Sequence, residues 1–121
     1  MSAEEFLERT EDSEIRILSS LVFSRAGRSP ESVRKAESLA DLKRMMASEI
    51  VHFTYVKNDG TLRSAYGTRD PEVIRTHCGE PARRGEADRP LRTFAYFDMV
   101  RDDWRAFRPE SIVEIDSNYQ I

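Results

Sequence analysis

The sequence of 121 residues contains a single cysteine, Cys78. An internal disulfide is therefore impossible, which is typical of proteins in a reducing compartment. No apolar run approaches the length of about 18 residues that a membrane helix needs, and the first residues lack the basic and apolar regions of a signal peptide. These absences predict a soluble, cytoplasmic protein without a membrane partner.

The sequence also lacks an excess of positive charge. It has 19 Lys and Arg against 22 Asp and Glu, a formal net charge of −3. Non-specific binding to nucleic acid depends on clustered Lys and Arg, so nucleic-acid binding would need a separate basic face here. Sixteen of the basic residues are Arg, whose planar guanidinium suits phosphate, carboxylate and base edges.

Catalytic and metal-binding motifs are scarce. His77 and Cys78 are adjacent, but a structural zinc site needs four Cys or His ligands, and a Cys nucleophile needs a base and an orienting acid. No glycine-rich phosphate loop is present, and Asp102-Asp103 is typical of a turn. We therefore predict a protein that is not an enzyme and has neither metal nor cofactor. A small hydrolase using His77 and Cys78 is the least favoured alternative.

Residues 1–48 have the pattern of a helical extension. Ser2 and Glu5 have capping-box spacing, and the apolar residues that follow predict a helix over about 3–26. The polar stretch Glu8–Glu14 leaves open a mobile tail over the first dozen residues. A second helix over 30–47 is predicted because Ser29-Pro30-Glu31 places a capping residue, a proline and an acid at its start.

From residue 49 the apolar period becomes two, as in a half-buried strand. Val51, Phe53 and Tyr55 alternate with polar residues, and the hairpin turn Asn58-Asp59-Gly60 follows. Further elements are predicted in this order: a return strand at 61–68, a helical turn at Pro71–Arg75 within a turn-rich segment to residue 90, a hairpin of strands 91–100 and 104–108, a tight helical turn at Pro109-Glu110-Ser111 and a last strand at 112–115.

This order predicts an α+β chain. Five short antiparallel strands normally avoid exposed edges by curling into a barrel, and one helical turn before the last strand is typical of SH3-like and Sm-like barrels. We predict a small five-stranded SH3/Sm-like antiparallel β-barrel over residues 49–121, preceded by one or two N-terminal α-helices.

Three blocks of sequence resemble a known family. The segment 49–68, the strand Ala95-Tyr96-Phe97-Asp98 and the strand Trp104-Arg105-Ala106-Phe107-Arg108 resemble the small WYL-like proteins, an uncharacterised phage and bacterial family assigned a Sm-like, SH3-type barrel. The same stretch is more distantly similar to the WYL domain of bacterial transcription regulators. The resemblance implies a cytoplasmic location in a bacterium or a phage-infected host.

The resemblance also implies a binding surface. In WYL domains, strand arginines and aromatics line a positive surface thought to hold a nucleotide or another anionic ligand. Arginine beside an aromatic ring suits phosphate contact and base stacking. The alternative is that the arginines are solvated or pair with Asp98, Asp102 or Asp103 across the hairpin. The candidate site for nucleic acid or a nucleotide-like ligand consists of Arg63, Tyr66, Tyr96, Trp104, Arg105 and Arg108, with Tyr96 as the candidate stacking face.

A dense apolar group within residues 13–26 allows a second interpretation. The group is more than one helix over a small barrel needs, so it predicts either packing within the chain or a surface for a protein partner or a homo-oligomer. The preferred function is a non-catalytic binding module with a regulatory or phage-related role. A protein-binding adaptor or inhibitor that uses the N-terminal helices and the acidic surface is the alternative.

Overall fold

The computed structural model describes residues 1–79 and 91–116. This part of the chain contains four helices and five strands, with a single 3₁₀ turn at Pro109–Ser111. The elements are α1 (Ala3–Arg9), α2 (Ser13–Ala26), α3 (Pro30–Met46), β1 (Val51–Val56), β2 (Leu62–Thr68), α4 (Pro71–Cys78), β3 (Phe94–Asp98), β4 (Asp103–Phe107) and β5 (Ile112–Ile115).

The five strands form one antiparallel sheet in the order β4-β3-β2-β1-β5. The β1–β2 hairpin is in register from Val51 opposite Gly67 to Val56 opposite Leu62. Its turn closes as predicted, with Lys57 N donating to Thr61 O at 2.7 Å. Gly60 has a φ of 91°, a conformation that glycine adopts without steric cost.

The sheet is strongly curled. The rings of Phe107 on β4 and Tyr55 on β1 lie 4.7 Å apart, although β3 and β2 separate these strands in the sheet. Neighbouring strands are about 4.8 Å apart, so a flat sheet would separate the two positions by roughly 14 Å. The predicted α+β class and antiparallel strands are confirmed. Within the described ranges no pairing joins β4 to β5, so the sheet is not closed.

Gly67 allows the sheet to pack closely on its inner face. A Cβ at this position would lie 2.6 Å from Cδ2 of Tyr96 and 3.2 Å from Cε1 of Phe53. The first distance is far inside van der Waals contact, so only a residue without a side chain fits. The two rings meet edge to face, with centroids 5.0 Å apart.

The single helix predicted over 3–26 is wrong, because the chain forms two helices there. Thr10 ends α1, and Asp12 begins α2 by accepting a hydrogen bond from Ile15 N at 3.0 Å. The alternative of a mobile tail does not fit either. Residues Ala3–Arg9 are helical with the predicted capping box, and Phe6 is buried edge-on against Phe23. The polar stretch is thus a helix boundary.

Two other predicted boundaries also shift. The helical turn expected at Pro71–Arg75 is the longer helix α4, because Asp70 caps its first turn and Gly79 ends it. The strand expected over 91–100 is limited to Phe94–Asp98. The 3₁₀ turn at Pro109–Ser111 and the last strand at Ile112–Ile115 are confirmed.

The helices and the sheet share one hydrophobic core. Leu18 and Val22 of α2, Leu39 of α3, and Phe53 and Tyr96 of the sheet belong to a single buried cluster. The helical region 1–48 therefore packs against the strand region instead of forming a separate unit. None of the helices in residues 1–79 and 91–116 combines the length and the apolar composition required to cross a membrane.

Candidate anion-binding cavity

A cavity of about 310 Å³ lies between the tip of the β1–β2 hairpin and the end of β4. Four cationic side chains line it, from three separate segments, with the carboxylate of Asp59 at its edge. The cations are Lys57, Arg63, Arg105 and Arg108. Three of them are arginines of the site predicted from the sequence, so the fold brings these three residues together.

The alternation of side chains along the strands directs two of the arginines inward. Arg63 lies opposite Tyr55 in the hairpin register and shares a face of β2 with buried Ala65. Arg105 shares a face of β4 with buried Phe107. Both guanidinium groups therefore point towards the concave side of the sheet.

The carboxylate of Asp98 faces both of these arginines. Its Oδ2 lies 3.4 Å from Arg105 Nε and 3.7 Å from Arg63 Nη2. Its Oδ1 accepts hydrogen bonds from the backbone N–H groups of Val100 and Arg101, which holds the β3–β4 turn. The alternative that the arginines pair with a nearby carboxylate is therefore correct for Asp98.

Neither contact to Asp98 has the geometry of a hydrogen bond. Arg105 Nε is buried and has no hydrogen-bond partner among the described residues, so only charge attraction holds it near the carboxylate. Asp98 is 2% exposed, whereas the side chains of Arg63 and Arg105 are 18% and 37% exposed. One buried carboxylate therefore faces two cations that still reach the cavity.

The remaining cations add to this surplus. Arg108 is exposed and has neither a hydrogen bond nor an ion pair through its side chain in the part of the chain that is described. Lys57 Nζ is 3.9 Å from Asp59 Oδ2, at the outer limit of an ion pair. An anion that enters the cavity therefore meets more positive than negative charge.

Two tyrosines lie beneath the cations. The hydroxyl oxygens of Tyr55 and Tyr96 are 2.8 Å apart. Tyr55 borders the cavity, while Tyr96 is fully buried. Burial and the hydrogen bond to Tyr55 raise the pKa of the Tyr96 phenol well above its usual range, so Tyr96 stays protonated. The prediction that Tyr96 offers a stacking face is wrong, since its ring is part of the core.

The other two aromatics of the predicted site lie elsewhere. Tyr66 is on the outer face of the hairpin, where its ring stacks on His52 with centroids 4.3 Å apart. Trp104 packs edge-on against Phe97 at 5.7 Å, on the face of β4 opposite Arg105. Arg63, Arg105 and Arg108 therefore meet at the cavity without Tyr66, Tyr96 or Trp104.

Sequence reasoning missed Tyr55 and the hairpin tip, Lys57–Asp59. From the sequence, the turn indicates a strand pair, and Tyr55 belongs to the alternation of a half-buried strand. A signal was available, because the turn Asn58-Asp59-Gly60, centred on Asp59, sets Tyr55 opposite Arg63. That register places the tyrosine beside the arginine before any tertiary contact is known.

His77 and Cys78 have separate hydrogen-bond partners. His77 Nε2 lies 2.6 Å from Asp102 Oδ1, and the exposed Cys78 donates to the carbonyl of Ile74. Within residues 1–79 and 91–116, no group of three His, Cys, Asp or Glu side chains could hold a metal ion.

Comparison with known families fits this description. The family model described as WYL_2, Sm-like SH3 beta-barrel fold, matches residues 39–113, which is more than half of the chain. The chain belongs to this family. The predicted WYL-like resemblance is thereby confirmed, and the WYL_2 match includes β1 to β4 and every residue that lines the cavity. No curated protein and no solved structure shows a significant match.

Proposed function

We propose that this WYL_2 protein is a non-catalytic binding module that holds a nucleotide-like anionic ligand in the cavity of Arg63, Arg105 and Arg108. The observation that carries the proposal is the surplus of cations around Asp98. Two arginines share one carboxylate without hydrogen bonding to it, and a third is exposed beside them. Guanidinium groups with unused donors bind phosphate oxygens strongly, because the planar fork matches their spacing.

The size of the cavity favours a small ligand. A volume of about 310 Å³ is at the lower end of small-molecule sites, which span about 300–1,000 Å³. A net charge of −3 disfavours wrapping a long nucleic acid, which requires an extended basic surface. The curled sheet would then act as an incomplete SH3-type barrel. Its open end would receive a single nucleotide, or the phosphate of one nucleotide within a strand of nucleic acid.

Isothermal titration calorimetry at low salt tests the proposal. AMP, inorganic phosphate and a short oligothymidylate serve as ligands for the wild type, Arg105→Gln and the control Arg9→Gln. Arg9 is exposed on α1 and does not line the cavity, so the control removes the same charge from another surface. We expect Arg105→Gln to weaken AMP binding about tenfold or more, the effect of one lost charged hydrogen bond, and Arg9→Gln to change it little.

The pattern of results separates the ligands. Binding of the oligothymidylate without AMP would indicate recognition of a strand instead of a free nucleotide. Equal weakening by both variants would show that only net charge matters. Absence of binding by all three ligands at low salt would overturn the proposal.

The adaptor alternative has a narrower basis in the structure. Most of the apolar group in residues 13–26 is buried within the chain, as Ile15, Leu18, Val22 and Phe23 are. Ile17 is 46% exposed and is the part of this group that could meet a partner or a second copy. Light scattering of the wild type and of Ile17→Arg tests this alternative, which requires an oligomer that the substitution dissociates.

A further inference from the structure

The hydroxyls of Tyr55 and Tyr96 carry two protons but make only one hydrogen bond to each other. One hydrogen bond between Tyr55 and Tyr96 uses one hydroxyl proton, and the accepting hydroxyl keeps its own proton for a second partner. Neither hydroxyl has another hydrogen bond to a described residue. The direction of the bond therefore decides where an unused donor lies.

The two hydroxyls have different surroundings. Tyr96 does not border the cavity and is fully buried, with its ring against those of Phe53 and Phe107. Asp98 and Arg63 act on the Tyr96 phenol only through their charges, so an unused O–H donor on Tyr96 would be buried without a hydrogen-bond partner among the described residues, which is costly. Tyr55 borders the cavity and lies opposite Arg63. An unused donor on Tyr55 can reach water or a ligand there.

We infer that Tyr96 donates its proton to Tyr55, and that the Tyr55 hydroxyl donates in turn to the anion bound in the cavity. This inference rests on the proposed function and adds a neutral donor to the charged donors of Arg63 and Arg105.

The inference narrows the class of ligand. Arginine side chains donate hydrogen bonds and accept none, and Tyr55 presents a third donor at the floor. These donors outnumber the Asp98 carboxylate that Arg63 and Arg105 share, so the inner end of the cavity suits a ligand group rich in acceptors, such as an ionised phosphate. A ligand that presented an ammonium or an amide N–H to this floor would leave the cavity donors without acceptors.

Two isosteric variants test the direction of the hydrogen bond. Tyr55→Phe removes the donor that faces the cavity, whereas Tyr96→Phe removes only the buried hydroxyl and leaves Tyr55 its proton. We expect Tyr55→Phe to weaken AMP binding about tenfold in calorimetry and Tyr96→Phe to change it less than about twofold. Inorganic phosphate should give the same ranking, because the contact is to the phosphate.

The melting temperatures without ligand provide an independent readout. Tyr55→Phe should lower the melting temperature more than Tyr96→Phe, because it leaves the buried Tyr96 hydroxyl without an acceptor. The opposite ranking would overturn the assigned direction. Unchanged AMP affinity in Tyr55→Phe would overturn the donor role while the proposed function stood. A wild type that binds neither AMP nor phosphate would overturn both, and the melting temperatures would still decide the direction.

Discussion

Two arginine–carboxylate sites, near opposite ends of β2, use the same chemical groups in different ways. At the end of β2, Arg69 binds Glu14 of α2 through two hydrogen bonds of 2.9 and 2.8 Å. Its Nε donates to Ala95 O at 2.8 Å, and its guanidinium lies 4.0 Å from the centroid of the Phe94 ring. Near the start of β2, Arg63 shares Asp98 with Arg105 and has no hydrogen bond to it.

The comparison shows how geometry separates a structural arginine from one that is available for binding. The Arg69 side chain is 9% exposed and joins the helical region to the sheet, because its partners come from α2 and β3. The cavity arginines are more exposed and outnumber their carboxylate. An arginine whose N–H donors are all hydrogen-bonded stabilises the fold. An arginine whose donors lie near a shared carboxylate without hydrogen bonding to it remains able to bind a ligand.

The largest effect on stability should come from Arg69→Gln. The substitution leaves the half-buried carboxylate of Glu14 without its bidentate partner, so we expect the free energy of unfolding to fall by about 3 kcal/mol. Lys43, 3.0 Å from Glu14, limits the loss. Urea denaturation measures it. Arg75→Gln is the matched control, because Arg75 pairs with exposed Glu72 one turn away and should cost less than about 0.5 kcal/mol. Equal losses would contradict the distinction between the two sites.

A smaller effect should follow from Asp98→Asn. The amide oxygen can still accept from the β3–β4 turn, but Arg63 and Arg105 lose their shared counter-charge. We expect the free energy of unfolding to fall by about 1–2 kcal/mol and affinity for AMP to rise several-fold, since the ligand replaces the missing negative charge. Denaturation and calorimetry on the same samples measure both. Weaker AMP binding with unchanged stability would show that Asp98 does not compete with the ligand.

The smallest expected effect is on how stability depends on pH through Glu14. Burial alone would raise the pKa of Glu14, but hydrogen bonds from Arg69 and Lys43 outweigh it and hold the pKa below its ordinary value of 4.5. A carboxyl whose pKa is lower in the folded state stabilises the fold at pH values above its pKa in the unfolded state. This contribution is lost as the pH falls through the pKa in the folded state.

We therefore expect the wild type to lose stability below about pH 4.5 more steeply than Glu14→Gln, as measured by urea denaturation across this range. Asp12 and Asp59 also have a lowered pKa, so the informative quantity is the difference between the two slopes. Identical slopes would show that Glu14 does not have this role.

Most of the local structure could be predicted from short-range chemistry. The Asn58-Asp59-Gly60 turn, the alternation in β1 and the Ser29-Pro30-Glu31 start of α3 each depend on neighbours in the sequence, and the structure has all three. The break at Thr10–Asp12 was missed because Asp12 caps α2 inside a run of polar residues that continues the helical composition. Tyr96 was predicted at the binding surface and lies in the core. Alternation along a strand assigns each side chain to one of two faces of the sheet, but it does not say which face is buried in the core.

By itself, the sequence determined the order of the elements, the register of the first hairpin and membership of the WYL_2 family, since these depend on turn chemistry, periodicity and motif order. Only the tertiary structure decided which candidate residues meet. Arg63 and Arg105 are far apart in the chain, and they face one cavity because the sheet curls until Phe107 stacks on Tyr55. That curl depends on packing around Gly67 and Tyr96, which is a property of the assembled core and not of any single segment.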